Sequence, residues 1–247
     1  MSRHERLVFR PISLIYFALL GALLVLTLIA ATSSLRGLLV QGVGLPPEAF
    51  GLVLFVSLFG SAVNIPLTVL KSRVPVVTTK EVRFFWVRWR IPHIVNDVRR
   101  TLITVNLGGA VVPVLISLYL LFWSIPAASP QILSTYAKVL IVLLVVTWLT
   151  NRNSRLVPGL GIATPAFAPP LITAVSVVLV NWISPLSCPT QVAYVGGTLG
   201  TLIGADLMNL EKLPELGAPV VSIGGAGTFD GIYITGLVSV LLVMLLL

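Results

Sequence analysis

Charged side chains are scarce in this sequence. They make up 10% of its 247 residues, whereas 57% of the residues are hydrophobic, and soluble domains carry about 25% charged residues. The mean hydropathy is +1.04. Such a composition excludes an ordinary soluble domain and is typical of chains with membrane spans. We therefore interpret residues 1–247 as a single integral membrane domain.

Cysteine and histidine are nearly absent. One cysteine, Cys188, excludes an internal disulfide and a cysteine-based metal cluster. The two histidines, His4 and His93, fall in predicted cytoplasmic or interfacial segments, which gives poor support to a Ser-His triad within the membrane. The sequence also has no zinc-site spacing, no Walker loop and no G-x-S-x-G motif. We expect a site without metal or cofactor.

Seven apolar segments approach the length of about 20 residues that crosses a membrane. They predict an all-α polytopic protein with about seven transmembrane helices, at 12–32, 49–70, 101–125, 132–150, 165–184, 190–210 and 230–247. With the N-terminus inside, 14 of the 16 basic residues are cytoplasmic, and only Arg36 and Lys138 are outside. This distribution follows the positive-inside rule and places the C-terminus outside.

The loop 71–100 is the one substantial polar segment. Its sequence VPVVTTKEVRFFWVRWRI is β-branched and aromatic with partial alternation, so it predicts a short cytoplasmic β-hairpin at the membrane surface. Arg83, Arg88 and Arg90 interleave with aromatic residues. We interpret this strip as a contact with anionic inner-leaflet lipid rather than with nucleic acid, because no nucleic-acid fold signature accompanies it.

The segment 157–174, VPGLGIATPAFAPPLITA, is dense in proline and glycine. Its four prolines cannot all lie in an uninterrupted helix. Two interpretations stay open: an irregular or re-entrant entry to the fifth span, or a plain loop followed by a proline-initiated helix.

Only two of the eight acidic residues, Asp206 and Asp230, lie within apolar, glycine-rich sequence. The last two predicted spans have a short connection, so they are antiparallel neighbours and bring both carboxylates to similar depth near the cytoplasmic face. Ionisable residues inside a membrane are costly and are candidates for function. We interpret the two as a candidate catalytic pair. The alternatives are a helix-packing contact for Asp206 and a helix N-cap for Asp230.

Small and polar residues surround the predicted pair. Glycines at 196, 200 and 204 repeat the G-x-x-x-G spacing of closely packed membrane helices. We expect a glycine loop at Gly224, Gly225, Gly227 and Gly231, and supporting polar groups at Asn64, Asn106, Asn209 and Thr228. A Mg²⁺ or Ca²⁺ ion between the two carboxylates is an open alternative to a metal-free site.

Five blocks carry a family resemblance: VNIPL, NLGGAVVPVLISLYL, PGLGIATPAFAPPLI, YVGGTLGTLIGADLMNL and SIGGAGTFDGIYITG. The chain resembles a prokaryotic membrane family, domain-of-unknown-function family 1614. That resemblance implies a multi-pass protein of a prokaryotic plasma membrane and supplies no activity. The last block is also similar to the G-x-G-D segment of presenilin-type and prepilin-peptidase-type intramembrane aspartyl proteases. By that similarity Asp206 matches the first catalytic Asp and Asp230 the second, although Thr228 and Phe229 separate Gly227 from Asp230.

These observations predict an intramembrane aspartyl hydrolase that acts on a transmembrane peptide. Two nearby carboxylates share a proton, so one is a base toward water and the other an acid. Asp230 opens a helix, where the macrodipole favours its anion, and Asp206 ends one, where it is expected to keep the proton. The alternatives are a proton- or cation-coupled transporter or channel that uses the same pair, and a non-catalytic membrane scaffold. The sequence leaves the oligomeric state open.

Overall fold

The computed structural model describes residues 11–84, 87–157, 161–216 and 219–247, and for 71–99 and a few shorter stretches it describes the backbone alone. Within these residues the chain is mostly helical, with seven helices and five strands. The helices are α1 (Pro11–Gly37), α2 (Ala49–Gly60), α3 (Leu107–Ala128), α4 (Ile132–Asn153), α5 (Ala168–Ile183), α6 (Pro189–Thr201) and α7 (Gly231–Leu246).

Two of the helices continue as π-helical turns. The turn Leu38–Val43 extends α1, and the turn Leu202–Asp206 extends α6. A 3-10 helix, Leu207–Leu216, then leads away from the end of α6. The chain therefore changes its helical geometry at Asp206.

Three helical stretches are long and apolar enough to cross a membrane: Gly21–Val43, α3 and α4. The helices α2, α5 and α7 are apolar but shorter, with 12, 16 and 16 residues. Each of the seven predicted spans overlaps one of the seven described helices. The number of membrane crossings stays a prediction.

The strands correct the all-α prediction. An antiparallel hairpin joins β1 (Asn64–Phe84) to β2 (Val87–Asn106), with Asn64 opposite Asn106 at its base and Phe84 opposite Val87 near its tip. The register shifts once, between Pro66 and Thr68. The hairpin predicted for 71–100 is thus present and longer than expected. The predicted span 49–70 is helical only to Gly60, and the predicted span 101–125 begins its helix at Leu107. Residues 64–70 and 101–106 are apolar and rich in β-branched side chains, which suit a strand as well as a membrane span.

A short strand completes the larger sheet at its edge. β5 (Val220–Ile223) runs parallel to β2, with Leu102 opposite Val220 and Val105 opposite Ile223. The order of the sheet is β1-β2-β5. This pairing places the chain just before the glycine loop beside the base of the long hairpin.

The segment rich in proline and glycine folds as a small hairpin followed by a helix. β3 (Arg155–Val157) pairs with β4 (Gly161–Ala163) in a separate two-stranded sheet. Pro169 and Pro170 lie in the first turn of α5, where a missing N–H is tolerated. The proline-initiated helix of the second interpretation is therefore present, but a pair of short strands precedes it instead of a plain loop.

The centre of the bundle is α6, which packs against α4, α5 and α7. Its glycines make the contact with α4 close: a Cβ atom on Gly200 would lie 2.8 Å from Cβ of Val146, and one on Gly196 would lie 2.6 Å from Cγ1 of Val142. Gly204 is equally tight against the backbone of Thr147. The G-x-x-x-G spacing therefore serves the α4–α6 interface.

Candidate functional site

Asp206 is the last residue of the π-helical turn that extends α6. Two side-chain amides bind the carbonyls that this turn presents. Asn151 Nδ2 donates to Gly204 O at 2.9 Å, and Asn209 Nδ2 donates to Ala205 O at 2.9 Å. These bonds fix the backbone just before Asp206, and π-helical turns occur often at functional sites.

Asp230 is the N-cap of α7, with extended backbone (φ −69°, ψ 148°). Its Oδ1 accepts a hydrogen bond from the Ile232 N–H at 3.0 Å, and its Oδ2 accepts one from the Ala226 N–H at 3.3 Å. The capping role considered from the sequence is therefore real. An ionised carboxylate has about four acceptor positions, so two remain for other partners.

The glycine loop is held by close backbone contacts. Gly224 and Gly227 have φ values of 69° and 64°, which side-chain-bearing residues rarely adopt. A Cβ atom on Gly224 would lie 2.7 Å from N of Ala110, and one on Gly227 would lie 2.5 Å from Cβ of Ser61. The loop is pressed against the start of α3 and the end of α2, and this contact positions Asp230. Gly225 and Gly231 are exposed positions in the walls of the cavities described next.

Asp206 and Asp230 together line two adjoining cavities. The first, of about 230 Å³, is bounded by Thr201 of α6 and by residues 162–166. The second, of about 340 Å³, is bounded by β5 and by residues 224–226. The structure therefore brings together the two residues that the sequence predicted as a pair.

Two of the predicted supporting residues have a structural role instead. The fully buried Asn106 donates from Nδ2 to Ser61 O at 2.8 Å and to Asn64 Oδ1 at 3.1 Å. Ser222 Oγ donates to the same Asn64 oxygen at 2.6 Å. These bonds join α2, the hairpin and β5. Neither asparagine is among the described residues that line the two cavities.

Asn209 and Thr228 also lie apart from the cavity walls that the structure describes. Asn209 is buried against the end of α6, where Lys212 Nζ donates to its Oδ1 at 3.4 Å. The backbone N–H of Thr228 donates to Ser61 Oγ at 3.0 Å. Both residues stabilise segments that flank the aspartates.

Sequence reasoning missed several wall residues, including Thr201, Ser222 and Ile162. Thr201 precedes Asp206 on α6 and was visible as a polar position in GTLGTLIGAD. The run VVSI at 220–223 carries a weak strand signal because it is β-branched. Ile162 belongs to the segment already noted for its proline and glycine, but no residue pattern pointed it toward the pair.

The side chains of Arg83, Arg88 and Arg90 lie outside the described residues. The backbone register places Arg83 opposite Arg88 and Glu81 opposite Arg90 near the hairpin tip. In the part of the chain that the structure describes, no group of three or more His, Cys, Asp or Glu residues could hold a metal ion.

A known protein family matches most of this sequence. The sequence profile of the family described as "Protein of unknown function (DUF1614)" matches residues 58–242. The chain belongs to the DUF1614 family. In this DUF1614 protein the match covers the hairpin, both aspartates and the glycine loop, whereas α1 lies before it. Searches of curated proteins and of solved structures find no match.

Proposed function

We propose that this protein is an intramembrane aspartyl hydrolase that cleaves a peptide bond with Asp206 and Asp230. The observation that carries the proposal is the shared position of the two carboxylates in the walls of two adjoining cavities. Asp206 and Asp230 belong to separate helical segments, as an acid and a base must when they approach one bond from different directions. The tight α4–α6 and loop contacts fix both segments.

The local donors assign different protonation states to the pair. Asp230 receives two backbone N–H bonds and stands at the positive end of α7, so its anion is favoured. Asp206 lies between the π-helical turn and the 3-10 helix Leu207–Leu216, where no helix N-terminus favours its anion as α7 favours that of Asp230. Two neighbouring carboxylates also resist double ionisation. We therefore propose Asp230 as the base and Asp206 as the acid.

The reaction then needs no other reactant than water. Asp230 takes a proton from water as the water oxygen bonds to the peptide carbonyl carbon, and Asp206 gives its proton to the carbonyl oxygen. When this tetrahedral intermediate collapses, the C–N bond breaks, and the amine leaves with the proton that Asp230 had taken. One of the two hydroxyl protons of the intermediate returns to Asp206, and the other stays on the carboxylic acid product. General acid–base catalysis of this kind contributes typically 10²–10⁴-fold.

The edge of β5 offers a place for an extended substrate. β5 ends the sheet order, and Val220, Val221 and Ser222 line the cavity that holds both aspartates. An extended peptide can add to such an edge through main-chain hydrogen bonds. A transmembrane peptide bound in this way would present an unwound peptide bond beside the pair.

A proton- or cation-coupled transporter is the second candidate. It is favoured by Thr201 and Thr235, whose buried hydroxyls have no partner among the described residues. Toward the other end of the α6–α7 interface, however, Val192, Val195 and Val240 are fully buried apolar residues. Polar lining that ends within the bundle supports water entry from one side, which suits a hydrolase better than a transporter.

The deciding experiment measures cleavage and flux in the same proteoliposomes. A fluorescent transmembrane reporter peptide and a pH-sensitive dye are followed for the wild type, Asp206→Asn and Asp230→Asn. The exposed Glu211 lies near the end of α6, so Glu211→Gln is a control with the same change in charge. We expect cleavage that each Asn variant lowers about 10²-fold or more and that the control leaves unchanged. Flux without cleavage, lost in both Asn variants, would instead identify a transporter.

We also propose that the hairpin contacts anionic lipid. Residues 71–100 carry eight basic residues against two acidic ones, and each basic residue near an anionic surface contributes about 1 kcal/mol. In nanodiscs, hydrogen exchange of residues 80–91 should slow in anionic lipid relative to zwitterionic lipid. High salt or reversal of Arg83, Arg88 and Arg90 to Glu should remove the difference. Equal exchange in both lipids would exclude the contact.

A further inference from the structure

A separate polar cavity lies at the opposite end of the bundle from the aspartates. Its volume is about 290 Å³, and its walls include Lys138 and five hydroxyl residues, Ser129, Ser134, Thr135, Ser184 and Ser187. We call it the lysine–serine pocket. α4 and α6 begin beside it and α5 ends there, whereas the other ends of α4 and α6 meet where Asn151 binds Gly204. With 22 residues in α4, the two sites are separated by about 33 Å.

The pocket is rich in hydrogen-bond donors that are free to bind a ligand. Lys138 Nζ donates to Pro185 O at 2.8 Å, which leaves two of the three N–H groups of the ammonium. The hydroxyls of Ser134, Ser184 and Ser187 make no hydrogen bond to any residue that the structure describes. Ser129 and Thr135 differ, since their hydroxyls bond to each other at 2.7 Å.

The charge of the pocket is positive and uncompensated. The sequence has no acidic residue between Asp97 and Asp206, and within the described part of the chain Lys138 forms no ion pair. The N-cap residues of α4 and α6, Gln131 and Cys188, make no side-chain capping bond. The positive ends of two helices therefore add to the field of the lysine. A site with many donors, a cation and no carboxylate suits an oxyanion.

The surroundings of the pocket indicate which oxyanion it takes. Leu133 and Trp182 are each 85% exposed, and Ile183 is 80% exposed. Their neighbours in the chain, Ser134 and Ser184, line the pocket. Apolar and tryptophan side chains at this position are typical of the boundary between acyl chains and headgroups. A phosphate at the pocket would thus have its acyl chains against these side chains.

We propose that the lysine–serine pocket binds the phosphate of a phospholipid headgroup. Lys138 provides the charge, and the hydroxyls of Ser134, Ser184 and Ser187 donate to the phosphate oxygens. Free phosphate shares the same chemistry, but it gains nothing from the exposed apolar side chains. The bound lipid would hold the ends of α4, α5 and α6 together, at the face opposite the aspartates.

The test uses the full chain in detergent. Native mass spectrometry measures its affinity for dioleoyl phosphatidic acid. Dioleoylglycerol has the same acyl chains without the phosphate. We compare Lys138→Met with Arg36→Met. Arg36 is an exposed basic residue on α1, so its replacement by Met removes the same charge away from the pocket. A second variant, Ser184→Ala with Ser187→Ala, keeps the lysine, and circular dichroism checks the helix content of each protein.

Lys138→Met should weaken phosphatidic acid binding about tenfold, as expected for the loss of a charge-assisted hydrogen bond, and the double serine variant should also weaken it. Arg36→Met should leave the affinity unchanged. Displacement of the lipid by millimolar inorganic phosphate, with the same dependence on Lys138, would show that the phosphate group alone is recognised. The proposal would be overturned if dioleoylglycerol bound as tightly as phosphatidic acid. It would also be overturned if Lys138→Met and the double serine variant both bound phosphatidic acid with the affinity of the wild type.

Discussion

Asn106 donates a hydrogen bond of 2.8 Å to the backbone carbonyl of Ser61, and this bond joins the start of α3 to the end of α2. The same asparagine accepts from the Gly109 N–H at 2.8 Å. Ser61 Oγ in turn accepts from the backbone N–H of Thr228, in the loop that leads to Asp230. The Asn106 amide therefore helps to position Asp230, a candidate catalytic residue, without contacting it.

Replacing this amide tests the structural role. We expect Asn106→Ala to lower the free energy of unfolding by about 2–3 kcal/mol, because buried partners lose their hydrogen bonds. Asn153→Ala is the control, since Asn153 is exposed and donates only to Leu149 O of its own helix. Reversible unfolding in mixed detergent micelles measures both. Similar stability in the two variants would contradict the interpretation.

The left-handed glycine at 224 gives a second prediction. Gly224→Ala should destabilise the fold by about 1–3 kcal/mol, because φ is 69° and the new Cβ would press on Ala110. Gly51→Ala should be neutral or slightly stabilising, since Gly51 lies in α2 with open space around it. Thermal unfolding of both variants checks the difference. If Gly224→Ala were as stable as Gly51→Ala, the loop would not be held as described.

Hydropathy predicted a segment at each of the seven helices α1 to α7 but could not give all of their limits. The apolar runs 64–70 and 101–106 fit a strand and a membrane span equally well, and short apolar runs cannot be assigned from periodicity alone. What decides between them is the cross-strand pairing, from Asn64 opposite Asn106 up to Phe84 opposite Val87. Such pairing is a tertiary property that a window along the chain does not contain.

The pair of aspartates was predictable because acidic residues inside apolar sequence are rare. The walls of the two cavities were not, since β5 forms only when Val220 pairs with Leu102, far away in the chain. The sequence predicts Asn64 and Asn106 at the depth of the pair, but their amides bond to Ser61, Gly109 and Ser222. Depth alone therefore does not distinguish a polar group that serves a site from one that serves the fold.

The edge of β5 supplies a third prediction. Leu102 N–H donates to Pro219 O at 2.9 Å, so in a parallel pair the N–H of Val220 faces away from β2. Val220→Pro removes this outward donor without removing a bond to β2. In the reporter assay it should raise KM several-fold with little change in kcat, whereas Val220→Ala keeps the donor and should resemble the wild type. An unchanged KM in Val220→Pro would exclude docking at this edge.

The two aspartates should act as one unit. If Asp206 and Asp230 transfer protons in the same step, then either substitution removes the mechanism, and the second adds little. We expect cleavage by the Asp206→Asn, Asp230→Asn variant to be within a few-fold of either single variant. Single-turnover cleavage in proteoliposomes provides the measurement. Losses that multiply would mean that the two carboxylates act independently.

The basic residues predict the orientation in the membrane, since 14 of them lie on one side of the predicted topology. Lys80 in the hairpin should be cytoplasmic and Gln131, which precedes α4, should be outside. We therefore expect a membrane-impermeant maleimide added to intact cells to label Gln131→Cys and not Lys80→Cys, each in a Cys188→Ser background. After permeabilisation both should react, which controls for side-chain accessibility. Labelling of Lys80→Cys in intact cells would reverse the topology and place the aspartate pair on the outer side.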